Sequence, residues 1–259
     1  MDARQFLYKI FVKLLLPFRV AFRFELNREL SLVNERLVKT VGAVKRLESQ
    51  LEVQNLASAT KYLACIESAK FITKYMPHAK AFQTQNEVME YAISVANFTA
   101  NSVVMEFGVY KGESVNHIAK TIKNRIIGFD SFEGLPENWR TGFEAGTFAL
   151  PAMPVVEENV ELVKGLFADS LPQFLVSFRQ PISLIHIDCD LYSSTIFVLD
   201  QLEEFILPGC ILVFDEFFNY PGWEVGEYKA FNEFVRRTGL KFDYIAYNSM
   251  HEQVVVRVL

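Results

Sequence analysis

Two short apolar runs in this chain end in carboxylates. Ile185-His186-Ile187 leads into Asp188-Cys189-Asp190-Leu191-Tyr192, and Phe214 leads into Asp215-Glu216, with Asp215 27 positions after Asp188. Four acids at the ends of two strands do nothing for packing. Asp and Glu disfavour strand interiors, and buried carboxylates repel one another at a cost of roughly several kcal/mol unless paired, protonated or metal-bound. A divalent cation resolves the conflict, and Mg2+ prefers octahedral oxygen ligands made of a few carboxylates, water and substrate oxygens. A carboxylate two residues beyond a ligand projects to the same side of an extended strand, so Asp190 is expected to reach whatever Asp188 helps to hold. His186, just before the acidic pair, is expected to point away from it, as a residue supporting the site from behind or as a core residue.

A second group lies upstream. Glu106-Phe-Gly108-Val-Tyr-Lys-Gly112 reads as a strand, a glycine turn and the start of a helix. Glycines let the backbone turn sharply and approach a ligand, and the following helix aims free N–H groups at it. The turn is not the GxGxxG dinucleotide fingerprint, because Val109, Tyr110 and Lys111 fill its middle. Asp130 ends the next strand, 24 residues after Glu106. An acid there is placed to accept hydrogen bonds from a ribose diol, with turn capping as the alternative.

The elements that must carry these residues alternate. Strands are expected at 103–107, 125–129, 161–164, 182–187 and 211–214, with helices at 114–122, 171–178, 194–206 and 228–237 between and after them. A hairpin of 242–247 and 253–258 closes the chain. Five alternations call for an α/β fold, a mostly parallel sheet with helices on both faces, and ligands then bind at the carboxyl ends of the strands. Asp130, Asp188, Asp190, Asp215 and Glu216 all fall there. Residues 137–156 have little periodicity and read as a lid or substrate loop, against the alternative of a disordered insertion. The segment Asn219-Tyr-Pro-Gly-Trp223-Glu-Val-Gly-Glu227 is expected to border the acceptor, with Trp223 reading equally as a core or lid residue.

Ahead of the sheet, residues 57–100 are helical in pattern, broken at Met76-Pro77, and form a helical lid to a domain spanning 57–259. Residues 1–56 form a separate amphipathic, coiled-coil segment. Leu30, Leu37, Val44 and Leu51 fall on one heptad seam and Leu26, Val33, Thr40 and Leu47 on the other. That pattern argues a coiled coil and hence a homo-oligomer. Residues 1–25 carry five Lys/Arg against two Asp/Glu. A basic, aromatic-rich stretch of this kind can lie on an anionic membrane surface, with packing on a partner subunit as the plainer reading. Charges and Pro17 interrupt it too often for a spanning helix.

Composition bounds the rest. Of 259 residues 51% are apolar, enough for a full core, and a net charge of −5 argues against a nucleic-acid partner. Cys65, Cys189 and Cys210 are odd in number and widely spaced, which suits reduced thiols in a cytoplasmic protein. The four histidines show no metal-ligand spacing.

Four segments together resemble a known family: Glu106-Phe-Gly-Val-Tyr-Lys-Gly112, Gly128-Phe-Asp-Ser-Phe-Glu-Gly-Leu-Pro136, His186-Ile-Asp-Cys-Asp-Leu-Tyr-Ser-Ser-Thr195 and Phe214-Asp-Glu216. In order and spacing they look like the macrocin O-methyltransferase (TylF-like) family of class I S-adenosylmethionine-dependent methyltransferases, over residues 80–259. The resemblance implies a seven-stranded Rossmann-like sheet, S-adenosylmethionine, Mg2+ and a sugar hydroxyl as acceptor. It implies that Glu106, Gly108 and Gly112 frame the methionine part of the cofactor and that Asp130 takes the ribose hydroxyls. Ser131 and Phe132 would then lie beside the adenosine, and Ala168, Asp169 and Ser170 at the adenine. Asp188, Asp215 and Glu216 are implied as metal ligands, with Asp188 also bordering the cofactor, and Asp190 as general base. Glu216 departs from the second Asp common in the family, and its extra methylene shifts the expected oxygen position.

The acceptor implied is a glycan, a nucleotide sugar or a glycoside natural product. The basic N-terminus and the coiled coil, which the resemblance does not cover, add the expectation of an oligomeric enzyme in the cytoplasm, peripheral on the inner membrane surface where polysaccharides are assembled on lipid carriers. An NAD-dependent enzyme on a similar sheet and a non-catalytic coiled-coil scaffold are the rival readings. The missing GxGxxG and the acid cluster count against the first, and the presence of every expected catalytic acid counts against the second.

Overall fold

The structure is a computed structural model that describes residues 3–51 and 55–259. The chain divides into two units, Met1–Ala59 and Thr60–Leu259. The first unit is dominated by α1 (Ala3–Leu51). Its seam residues Leu26, Leu30, Val33, Leu37 and Val44 are all exposed. The side chains of residues 6–14 and 16–21, within the basic aromatic stretch, lie outside the described residues, as do those of Leu47 and Leu51. Among the described residues no helix is long and apolar enough to cross a membrane.

The second unit opens within α2 (Leu56–Tyr75), which ends just before Met76-Pro77 as that pair suggests. The expected helical lid is then interrupted by a short strand, β1 (Lys80–Phe82), before α3 (Gln85–Val95). Thr84 starts α3 with a capping box, its hydroxyl accepting from the Glu87 amide and the Glu87 carboxylate answering the Thr84 amide. The alternating region follows: β2 (Val103–Phe107), α4 (Glu113–Thr121), β3 (Ile126–Asp130), β4 (Val160–Lys164), α5 (Phe167–Leu175), β5 (Ile182–Ile187), α6 (Tyr192–Gln201), β6 (Ile211–Phe214) and α7 (Glu227–Thr238). The hairpin β7 (Phe242–Asn248) and β8 (Val254–Val258) ends the chain.

The sheet has eight strands in the order β1-β7-β8-β6-β5-β2-β3-β4. All neighbours are parallel except β8, which runs antiparallel to both β6 and β7. This is the seven-strand arrangement expected, with one strand added: β1 pairs with Ala246–Asn248 at the edge. Three residues are too few to show a periodicity, so nothing in the sequence separated β1 from the surrounding helices.

Both faces of the sheet are covered, which is why β2, β3, β5 and β6 are near-continuous apolar runs. Met105, Phe107, Ile127, Phe129, Ile185, Ile187, Leu212 and Phe214 face one core, while Val104, Ile126, Leu184, Ile211 and Val213 face the other. The chain runs outward from β2 through β3 to β4, then returns to place β5 on the other side of β2. The strand order therefore reverses between β2 and β5, where a crevice opens at the carboxyl ends.

Candidate active site

A cavity of about 510 Å³ opens at that crevice, within the range of small-molecule sites. Gly108 and Asp188 meet at its floor. The Asp188 amide donates to the Phe107 carbonyl at 2.9 Å, and Gly108 has φ 95°. A Cβ on Gly108 would stand 1.9 Å from the Asp188 carbonyl oxygen. Gly108→Ala is thus expected to force β2 and β5 apart at the site and to destabilise the fold by at least about 2 kcal/mol. A melting temperature equal to wild type would refute that.

Asp130, at the end of β3, closes the other side of the turn. Its Oδ2 accepts from the Val109 and Tyr110 amides at 2.8 Å each, and its Oδ1 accepts from the Phe132 amide at 2.6 Å. The capping role is therefore fully built, holding Tyr110 at φ 46° and Phe132 at φ 57°. Of the roughly four lone-pair sites on a carboxylate, three are spent, while Asp130 still lines the cavity. Ser131 lines it as well, but Phe132 is buried in the core and does not. Gly112 caps the start of α4 at φ 81° behind the cavity wall. Past β4, the wall is formed by Leu166, Phe167 and Ala168. Asp169 is exposed, and Ser170 turns its hydroxyl back to the Leu166 carbonyl at 2.9 Å. α5 starts four residues earlier than expected, and of the Ala168-Asp169-Ser170 stretch expected at the adenine Ala168 lines the cavity, joined by Leu166 and Phe167.

Glu106 is not at the cavity. It is fully buried, accepting from the Ser114 hydroxyl at 2.8 Å and lying 3.1 Å from His186 Nδ1. His186 is not turned away from the acids either. Its Nε2 stands 3.8 Å from Asp215 Oδ1, because residues two apart share a face and His186 lies on the same side as Asp188. Burial pushes the imidazole pKa down, but Asp215 and Glu106 outweigh it and hold it well above the ordinary value.

The acids do converge. Carboxylate oxygens of Asp188, Asp215 and Glu216 lie within 4.8 Å of one another. Asp215 Oδ1 also accepts from Gln253 Nε2 at 2.5 Å. Glu216 is buried, and its Oε2 has no hydrogen-bond partner. Burial, then the charge of Asp215, pushes the pKa values of Asp188 and Glu216 well above the carboxylate range. Asp215 is also pushed up by burial, but its contacts with His186 and Gln253 hold it below its ordinary value. An orphaned, buried carboxylate oxygen among mutually repelling acids suits a hard divalent cation. At Mg2+–O distances of about 2.0–2.1 Å, opposite ligands on one ion stand about 4.2 Å apart, so the cluster fits after small adjustments.

Asp190 reaches the cavity by a route different from the extended strand expected. β5 ends at Ile187, and the Leu191 amide returns to the Cys189 carbonyl at 2.6 Å across Asp190, whose φ is 60°. This is a γ-turn, a form in which a non-glycine residue is strained. Burial, then the charge of Asp215, pushes Asp190 up to about 7, against a downward pull from Arg140.

Raised carboxylate pKa values mean that the folded protein binds protons the unfolded chain has released. That stability is present in acid and is lost as the pH rises through the folded values, about 7 for Asp190. The raised His186 acts in the same direction. The metal-free protein is therefore expected to melt lower at about pH 8 than at about pH 6, by on the order of 1 kcal/mol for each such group, and Mg2+ should shrink the difference. A melting temperature that rises over this interval in chelator would contradict the electrostatic picture.

Several site residues are not singled out by the sequence, although the segment that carries most of them reads as a lid or substrate loop. The 137–150 segment is ordered into turns that bring Trp139, Arg140, Phe143 and Phe148 to the cavity. The Arg140 guanidinium stacks 3.9 Å over Trp139 and donates to Glu252 at 2.9 Å. Trp223, by contrast, is buried against Phe71 and Tyr228, a core residue. Glu227 is also buried, 11 residues beyond Glu216. An acid at a helix start ordinarily reads as an exposed dipole partner, so its inward turn is invisible before the fold is known. All three cysteines are free thiols, Cys65 exposed and the other two buried.

Residues 105–217, which run from β2 through the metal-type acids, match the family model described as a methyltransferase domain. Among solved structures, the chain is similar to CalS11, a calicheamicin methyltransferase, with 23% identity and a TM-score of 0.53 over 66% of this chain and 76% of that one. It is also similar to the O-methyltransferase NovP, with 16% identity and a TM-score of 0.51 over 67% of this chain and 78% of that one. Among curated protein sequences nothing matches. The architecture is thus the Rossmann-like methyltransferase fold.

Proposed function

We propose that the methyltransferase domain of this chain transfers a methyl group from S-adenosylmethionine to a sugar hydroxyl with the help of Mg2+. The observation that carries the reading is the convergence of Asp188, Asp215 and Glu216, with the orphaned Glu216 Oε2, beside a cavity that Gly108, Asp188 and Glu216 line. The sugar acceptor is supported by the four-segment resemblance and by CalS11, described in its apo form as a TDP-rhamnose 3′-O-methyltransferase.

The cavity divides naturally. Leu166, Phe167 and Ala168 offer an apolar wall for the adenine. The last free lone pair of Asp130 faces the ribose, and the Gly108 turn leaves room for the methionine part. Asp188, Asp215 and Glu216 would hold Mg2+. When bound, S-adenosylmethionine supplies an electrophilic methyl and Mg2+ lowers the pKa of a coordinated hydroxyl. Asp190 Oδ accepts the hydroxyl proton, and its raised pKa matches that task near neutral pH. Trp139, Arg140, Phe143 and Phe148 shield the cavity from water and border the acceptor. Calorimetric titration separates this reading from a nicotinamide-dependent enzyme: S-adenosylmethionine is expected to bind and NAD not to. Binding of NAD alone would sink the reading.

The apolar row that α1 leaves in water supports a second, structural part of the proposal: the chain self-associates through residues 26–51. Sedimentation should show a smaller species once residues 1–56 are removed, and an unchanged assembly would reject it. Contact of the basic residues 1–25 with an anionic membrane surface rests on charge alone, and unaltered liposome sedimentation after their deletion would rule it out.

A further inference from the structure

Cys189 and Glu216 lie on different strand-end turns, one between Asp188 and Asp190 and the other directly after Asp215. A single side chain ties them together. Glu227, in the first turn of α7, is fully buried. Its Oε1 accepts from the Cys189 amide at 3.3 Å and its Oε2 from the Glu216 amide at 3.1 Å. The helix is the anchor. α7 buries Ala230, Phe231 and Phe234 against the core, so the carboxylate is held from a rigid element.

We propose that Glu227 is a positioning residue that sets the separation of the two acid-bearing turns, and so the fit of the site for its cation; this rests on the Mg2+-dependent reading above. Three features argue for it over a packing role. A packing role needs no polar side chain, yet Glu227 buries a whole carboxyl group against the backbone amide of Glu216, itself a buried acid. Both of its oxygens are used, one on each turn, so its length fixes a distance rather than filling a space. And the groups it holds are the backbone amides of Glu216, a ligand, and of Cys189, the centre of the Asp188–Asp190 turn. A glutamine in its place offers one acceptor oxygen and one N–H2, so one of the two amides would lose its partner and face a second donor.

The experiment is calorimetric titration of the full chain with Mg2+ alone and, separately, with S-adenosylmethionine, for wild type, Glu227→Gln and Glu227→Asp. Glu227→Gln is expected to weaken Mg2+ binding ~10–100-fold, the usual consequence of disturbing groups that orient metal ligands, while cofactor affinity stays within about twofold. In steady-state assays the Mg2+ concentration for half-maximal rate should rise by the same factor, with kcat recovering at saturating Mg2+. Wild-type Mg2+ affinity in Glu227→Gln, or an equal loss for both ligands, would overturn the proposal. If wild type itself binds no Mg2+, the metal reading falls instead. Should Glu227→Gln fail to fold, Glu227→Asp, which keeps the charge but spans a shorter distance, is expected to show the same selective loss. Failure of both variants to fold would assign Glu227 to fold stability and overturn the positioning role.

Discussion

Asparagine in place of Asp190 is expected to leave S-adenosylmethionine and Mg2+ binding near wild type and to lower kcat by ~10²–10⁴-fold, the usual worth of a positioned general base. Asparagine is the informative choice because it tolerates the left-handed backbone that position 190 adopts at φ 60°. Alanine would mix loss of the base with strain in the turn. The pH profile supplies an independent signature. A base must be unprotonated to act, so the wild-type rate should fall as the pH drops through the Asp190 pKa, about 7 without metal, and Mg2+ should move that limb to lower pH. The variant should lack the limb. A variant retaining full kcat would remove Asp190 from the mechanism.

Asp188→Asn is expected to act in opposite directions on function and stability. Loss of a charged ligand should weaken Mg2+ by more than the ~10–100-fold typical of groups behind the ligands, and methyl transfer should fall with it. The metal-free protein should gain about 1 kcal/mol, because burial and the charge of Asp215 work against an ionised Asp188. Thermal melting in chelator checks the second half. A structural carboxylate would give the reverse, a lower melting temperature with no change in Mg2+ affinity.

The parts of this site that were legible in the sequence are those where one residue breaks a local rule. Asp188, Asp215 and Glu216 stand out because apolar strands seldom end in clustered acids, and the structure brings them within 4.8 Å. Gly108 stands out because a strand–helix turn needs it, and its floor position follows from the β2–β5 pairing. The alternation of strands and helices was readable because fully covered parallel strands are long apolar runs. What stayed hidden depends on contacts between distant segments. Glu227 looks like an exposed helix-start acid, and Gln253 like an ordinary strand residue, until the fold sets them against the acid turns. For Asp130 the sequence leaves ribose binding and turn capping both open, and only the fold shows that three amides of its own turn claim most of its capacity. The strand β1 and the early start of α5 were lost for a different reason. One is too short for a period, and the other carries Pro172 inside a helix, which reads as a boundary.

The central claim joins a cofactor cavity to a metal-binding acid cluster in one reaction. Transfer of labelled methyl from S-adenosylmethionine to a panel of nucleotide sugars, measured in chelator and again after Mg2+ is restored, tests both halves together. Label should appear in a sugar hydroxyl only when Mg2+ is present. Transfer at an unchanged rate in chelator, or no transfer to any sugar by protein shown to hold both S-adenosylmethionine and Mg2+, would contradict the account.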